Sequence, residues 1–277
     1  MNALRKLLPI LAMALAPSIA HGAVARETNT MEHVAGNHPV YELRQYTLHP
    51  GERDALIRLF EDRFIEPLER DGMQVPAHFR DLDNADRFAW FRRFDDMDAR
   101  GRALPAFYRQ DPVWQRYRND ANATMADSDN VLLLREAWPG SGFAAAAAPR
   151  PPVGARPHSK AVIVVTTYAL VNPVDGAFIA FFRDTLAPRA QADGAKLLAT
   201  FASEESPNNF PPLPVRPEHV LVWVAAFADD AAYARYRERI ASDRRWARDI
   251  APTLAQRLVW PADVHRLRPA ARSLLQD

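Results

Sequence analysis

The chain has 277 residues, of which 48% are hydrophobic and 25% charged. That balance excludes wholesale disorder, collagen and coiled coil, and the length accommodates about two domains. There is no cysteine, which removes disulfides, iron–sulfur clusters, thiolate zinc and cysteine nucleophiles together.

The first element in chain order is an address. Arg5 and Lys6 precede an uncharged run from Leu7 to Ile19, and Ala23-Val24-Ala25 follows. Charged start, short apolar core and cleavage site predict a secretory signal peptide over residues 1–25, with Ala20-His21-Gly22 as a second cleavage point. The run is shorter than the roughly 20 residues a spanning helix needs. The expected location is periplasmic or secreted. The formal charge of +1 becomes 33 basic against 34 acidic residues once the leader is gone. A near-neutral chain has no electrostatic footprint for nucleic acid or, after leader cleavage, for a membrane.

An internal repeat follows a polar lead-in. Tyr41–Leu48 and Val162–Leu170 read as strands. Pro50-Gly51 turns the chain after the first, and Asn172-Pro173 after the second, with Asn172 suited to cap a helix and Pro173 to start it. Leu56, Leu59, Phe60 and Phe64 then recur 122 residues later as Phe178, Phe181, Phe182 and Leu186. Spacings of three and four put each set on one helical face. Both helices are expected to end near a proline, Pro67 and Pro188, and to run into Asp71-Gly72 and Asp193-Gly194.

Extended segments Gln74–Arg80 and Lys196–Ala202 come next, then strands Arg87–Phe94 and Val220–Phe227. The second half carries extra residues in the proline-rich loop Ser203–Pro217. Helices start at Asp95 and Asp229, and second helical pieces carry Asp111-Pro112-Val113-Trp114 and Asp243-Arg244-Arg245-Trp246. Final strands are predicted at Asn130–Ala137 and Gln256–Leu267. The order β-α-β-β-α-β, twice, predicts an α+β fold of two tandem ferredoxin-like domains. Their boundaries are 40–138 and 161–268, joined by a Pro/Ala-rich linker over 139–160. Each sheet has helices on one face and a bare second face, so the halves are expected to pack sheet to sheet as a pseudo-dimeric α/β barrel.

Alternation puts Tyr41 and Leu43 on one face of the first strand and Glu42, Arg44, Tyr46 and Leu48 on the other. If the helix layer takes Tyr41 and Leu43, the Glu-x-Arg-x-Tyr set points between the sheets, where an apolar cavity with a few polar groups would hold a small molecule. The matching positions of the second half are Val164, Thr166 and Tyr168. Candidate ligand-binding residues are therefore Glu42, Arg44, Tyr46 and Tyr168. The alternative is that Glu42 and Arg44 pair with each other or lie at a solvated edge. His78 shares the parity of that face and is the candidate general base or axial haem ligand, expected to reach Arg44 and Tyr46 across the sheet face or from its rim rather than as a direct neighbour of Tyr46. Its alternative is a hydrogen-bonded structural histidine. Trp90, Trp114, Trp223 and Trp246 recur in pairs, which points to core packing rather than ligand stacking. No zinc spacing, P-loop or G-x-G-x-x-G run is present, so neither metal nor cofactor is expected.

The segment Val40-Tyr41-Glu42-Leu43-Arg44-Gln45-Tyr46-Thr47-Leu48-His49-Pro50-Gly51 resembles the NIPSNAP family. Asp95–Arg102 with the following Asp111-Pro112-x-Trp114 fits that family's second helical region. The resemblance spans about residues 40–137 and, more loosely, 161–267, where the Glu-x-Arg-x-Tyr start and the proline of the tryptophan motif are lost. Asn209-Phe210-Pro211-Pro212-Leu213-Pro214-Val215-Arg216 resembles a loop of bacterial two-domain members. The resemblance implies the dimeric α/β-barrel superfamily and no settled enzymatic activity. Two functions follow. One is a small-ligand-binding or assembly module whose partner is a small apolar or aromatic molecule, with a homo-oligomer left open. The other is a cofactor-independent monooxygenase or isomerase acting on a small aromatic or polyketide-like substrate in the barrel cavity.

Overall fold

The computed structural model describes residues 37–277; the predicted signal peptide lies outside them. Strand β1 (Val40–Leu48) leads into helix α1 (Arg53–Leu59), which passes through a π-helical turn at Phe60–Phe64 into α2 (Ile65–Arg70). Strands β2 (Gln74–Asp81) and β3 (Arg87–Phe94) follow. Helices α3 (Met97–Pro105) and α4 (Pro112–Thr124) flank a second π-helical turn, and β4 (Met125–Asp127) and β5 (Val131–Glu136) close the half. The order then repeats as β6 (Val162–Ala169), α5 (Gly176–Phe181), α6 (Ala187–Ala192), β7 (Lys196–Ser203), β8 (Val220–Phe227), α7 (Asp230–Ser242), α8 (Ala251–Arg257) and β9 (Asp263–Pro269).

Aspartates cap α3, α4, α5 and α7, since a side-chain carboxylate satisfies first-turn N–H groups that have no partner within the helix. Asp96 accepts from the Ala99 N–H at 2.6 Å, Asp111 from Val113 at 2.7 Å and Asp229 from Ala232 at 2.7 Å. The first of these sits one residue later than expected. The predicted Asn172 cap is also displaced: α5 starts at Gly176, and Asp175 caps it through the Phe178 N–H at 2.7 Å. Pro67 and Pro188 do not end their helices. Each lacks an N–H for the carbonyl four residues back, and the turn just before it widens to π geometry, which absorbs the mismatch. The helices stop at Gly72 and Gly194, whose φ angles of 94° and 112° only glycine adopts without strain. The predicted last strand Gln256–Leu267 begins only at Asp263, because Gln256 and Arg257 complete α8 and Leu258 makes a single bridge to Leu170.

Eight of the nine strands close on themselves in the order β1-β3-β2-β9-β6-β8-β7-β5, and β4 adds to the end of β1. The halves therefore do more than face one another. β2 pairs with β9 and β5 with β7, so each sheet's edges are sealed by the other. The interior of an eight-stranded barrel is just wide enough for side chains to fill. Tyr41, Leu43, Phe79, Phe91, Phe201, Val222 and Leu267 fill it here. Phe143 of the linker packs edge-on against Phe91, with ring centroids 5.0 Å apart.

That filling reverses the expected faces. Tyr41 and Leu43 point into the barrel, and Glu42, Arg44, Tyr46 and His78 point outward beneath the helices. A closed, dry barrel core cannot take a glutamate and an arginine, whereas helix side chains can supply their partners. Tyr168 likewise faces its own helices, packing on Phe178. The predicted cavity between the sheets is occupied by side chains.

The chain end ties the two halves together. After β9, Ala270 N–H donates to the His78 carbonyl at 3.1 Å, and the Arg272 N–H donates to Glu61 at 2.8 Å. The linker has neither helix nor strand, yet Arg150 within it donates to the carbonyls of Arg272 and Val75, each at 2.8 Å. No helix among the described residues is long and apolar enough to cross a membrane.

Candidate ligand-binding site

The outward face of the first half carries a buried charge cluster centred on Glu42. In the β1–β3 register Glu42 stands opposite Arg92, and Arg44 opposite Trp90. Arg92 donates to Glu42 through Nε at 2.9 Å, Arg44 through Nη1 at 2.6 Å, and Arg100 reaches down from α3 to donate through Nε at 2.7 Å. All four side chains are buried. Burial pushes the Glu42 carboxyl upward in pKa, but the three guanidinium groups outweigh it and hold the group far below the ordinary carboxylate range. No second carboxylate contacts any of the three arginines among the described residues. The cluster thus carries three positive charges against one negative.

Aromatic rings surround the surplus. Arg44 lies over Tyr46 and Trp90, and Arg92 over Trp90, Phe94 and Tyr108, at 5.4–5.8 Å from the ring centroids. Such faces stabilise a buried cation. Arg44 Nε donates to the Tyr46 hydroxyl at 2.8 Å and Arg92 Nη1 to the Tyr108 hydroxyl at 3.1 Å. Burial raises the Tyr46 pKa against the pull of Arg44, so the phenol keeps its proton at neutral pH.

Beside this cluster is a cavity of about 220 Å³ between the sheet and its helices. Arg44, Tyr46, Trp90 and Tyr108 form one end. Phe60, Phe64, Phe88, Phe107 and Trp114 supply aromatic walls, and Asn122, Met125 and Ser128 come from the α4–β4 region. The π turn at Phe60–Phe64 delivers two of these walls. Leu213 comes from the second half. It belongs to the proline-rich loop between β7 and β8, which folds over the first half. Asn208 and Asn209 in that loop accept from Arg100 Nη1 at 3.0 and 2.6 Å, and Phe210 stacks on Tyr108 with centroids 6.2 Å apart. The second half carries no such charge cluster on its outward face: Val164 and Ala225 stand in place of Glu42 and Arg92, within its apolar core.

Two of the predicted site residues, Arg44 and Tyr46, line the cavity, and Glu42 lies behind them as the charge that holds Arg44. His78 is separate. It pairs with Trp90 across β2–β3, which puts the indole between it and Arg44. Its Nε2 lies 2.9 Å from Glu61, and burial lowers its pKa although Glu61 opposes that. It is absent from the cavity wall, so the roles of base and haem ligand find no support, and the structural alternative describes it. Tyr168 is remote, in the core of the second half. Trp90 and Trp114 line the cavity, against the expectation of core packing alone; Trp223 is core as expected. Arg92 and Arg100 escaped the sequence reading. The signal for Arg92 was its parity with Trp90 and Phe94 on a strand otherwise rich in aromatics. No sequence signal pointed to Arg100 or Asn209.

The NIPSNAP family model matches residues 41–138. The first half of the chain is thus similar to the NIPSNAP family. The match contains Glu42, Arg44, Tyr46, Trp90, Arg92 and Arg100, so the cluster and most of the cavity lie within the matched segment, while the Asn-Asn-Phe loop lies outside it. No curated protein matches the chain in sequence. Among solved structures, an anthrone oxidase-like protein aligns over 88% of this chain and 98% of its own, at 12% identity and a TM-score of 0.54. A Fusobacterium nucleatum protein provisionally assigned as a monooxygenase aligns over 84% and 93%, at 10% identity and 0.53. A Lactobacillus acidophilus protein with the same provisional assignment aligns over 85% and 97%, at 12% identity and 0.50. At these identities the likeness concerns the fold: the two halves together share the α/β-barrel architecture of these proteins.

Proposed function

We propose that this chain binds a small aromatic molecule in the cavity between the first half's sheet and its helices. The observation that carries the reading is the combination of aromatic walls with polar donors gathered at one end, which is the usual make-up of a small-molecule site. A cavity of about 150 Å³ admits benzene, so the 220 Å³ here fits one substituted ring or two fused rings. The assembly alternative draws on no comparable feature. With the leader removed, binding would take place outside the cytoplasm. Native mass spectrometry of mildly extracted protein tests the proposal. A retained aromatic ligand, lost in Trp90→Leu, is the expected result. An empty protein whose tryptophan fluorescence ignores a panel of one- and two-ring aromatics would refute it.

The second reading is a cofactor-independent oxygenase, favoured by the full-length likeness to proteins assigned as monooxygenases and to an anthrone oxidase-like protein. The balanced reaction would be a benzylic CH₂ and O₂ giving a carbonyl and water. Among the described lining residues there is no carboxylate or imidazole, so substrate deprotonation would have to be driven by Arg44 and Tyr46 stabilising the anion rather than by a strong base. Oxygen uptake with 1-naphthol, a two-ring compound whose keto tautomer offers a benzylic CH₂, distinguishes this reading from binding alone.

A further inference from the structure

The cavity's polar end is made of donors that lack acceptors. Arg44 uses Nε on Tyr46 and Nη1 on Glu42, leaving Nη2 without a partner among the described residues. The hydroxyls of Tyr46 and Tyr108 each accept from an arginine, and neither proton has an acceptor among those residues. The Trp90 indole Nε1 is buried and unpaired. All four side chains line the same cavity. An orphaned buried donor is costly, and native structures seldom leave several together without a reason.

The charge count points the same way. Three buried guanidinium groups share one carboxylate, and Tyr46 beside them stays neutral. An uncompensated buried charge is unfavourable, and an entering anion would supply both the missing charge and the missing acceptors. The other polar lining groups, Asn122 and Ser128, are neutral, so nothing in the wall repels a negative ligand.

We infer that the ligand is an aromatic anion, a ring bearing a carboxylate or phenolate oxygen, with that oxygen docked among Arg44, Tyr46, Tyr108 and Trp90 and the ring among Phe60, Phe64 and Trp114. This rests on the reading that the cavity binds a small aromatic molecule, and it names the chemical class. Glu42, which cannot touch such a ligand, is a positioning residue: it spends Nη1 of Arg44 and leaves Nη2 for the oxyanion.

The test is a matched pair of probes on the leader-free chain at pH 7, by isothermal titration calorimetry. 2-Naphthoate and 2-naphthamide share shape and differ in charge. The carboxylate is expected to bind at least tenfold tighter than the amide. Trp90→Phe, which keeps an aromatic wall but removes the indole N–H, is expected to weaken naphthoate several-fold and leave naphthamide nearly unchanged. 2-Naphthol, titrated at pH 7 and above its own pKa, separates the phenolate source from the carboxylate one. Equal affinity for naphthoate and naphthamide would overturn the anion inference while sparing the cavity reading. Binding of neither would overturn both.

Discussion

Glu42 is the residue on which the electrostatics of the site depend. Removing one partner of a buried ion network leaves the others uncompensated, so Glu42→Gln is expected to lower unfolding free energy by about 3–5 kcal/mol in urea titrations at pH 7. A loss below about 1 kcal/mol would mean that the arginines do not need it. The pH sign follows from its lowered pKa. The stabilisation is present above the unfolded value near 4.5 and drains away as pH falls below it, so acid unfolding should start in that range. His265 works in the opposite direction. Asp263 and Asp81 raise its pKa to about 9 from 6.5, so its contribution is full below 6.5 and is lost as pH rises through about 9. Since Asp263 is half exposed, the contribution is about 1–2 kcal/mol. Thermal melts from pH 6 to 10 should show that decline in the wild type and a flatter profile in His265→Gln. Alternation in the sequence grouped Glu42, Arg44 and Tyr46 correctly, because parity says which residues share a face. It does not say which face lies inside. That was decided by barrel closure, a property of strands 65 to 190 residues apart, and so the set was expected between the sheets rather than beneath the helices.

At the scale of elements, the β7–β8 loop decides whether the site is complete. It was legible as an insertion, since its prolines break the spacing shared by the two halves. Its destination was not, because Arg100 and Asn209 are 109 residues apart and no local pattern links them. Phe210 is buried against Tyr108, so Phe210→Ala should cost about 3 kcal/mol, at the lower end for a buried phenylalanine because a loop can partly collapse. The same change should weaken ligand binding, through the loss of support for Tyr108 and Leu213. Unchanged affinity in a folded variant would show that the loop only covers the site. The π turns were also hidden. Their trace in the sequence is a proline two or three residues beyond the turn, which local reading took as a terminator.

For the whole molecule, the repeat made the β-α-β-β-α-β order and the pairing of two sheets legible, and the strands at Arg87–Phe94 and Val220–Phe227 fall where they were expected. Closure makes the halves interdependent. Each alone would expose the apolar set that fills the barrel and two unpaired strand edges, β2 and β5 in one half and β7 and β9 in the other. Fragments 26–145 and 155–277 should therefore aggregate or self-associate in analytical ultracentrifugation, and a monomeric, cooperatively folded fragment would contradict the closed barrel. The division of labour is unequal: one half holds the charge cluster, and the other closes the barrel and contributes the loop. The central claim is that the ligand sits outside the barrel, beneath the first half's helices. A crystal structure with 4-bromobenzoate, located by the bromine's anomalous signal, tests it most directly. The bromine should lie among Phe60, Phe64 and Trp114, with the carboxylate within hydrogen-bonding distance of Arg44. A bromine peak inside the barrel beside Phe91 and Phe201, or a cavity left empty under conditions where binding is measured in solution, would contradict it.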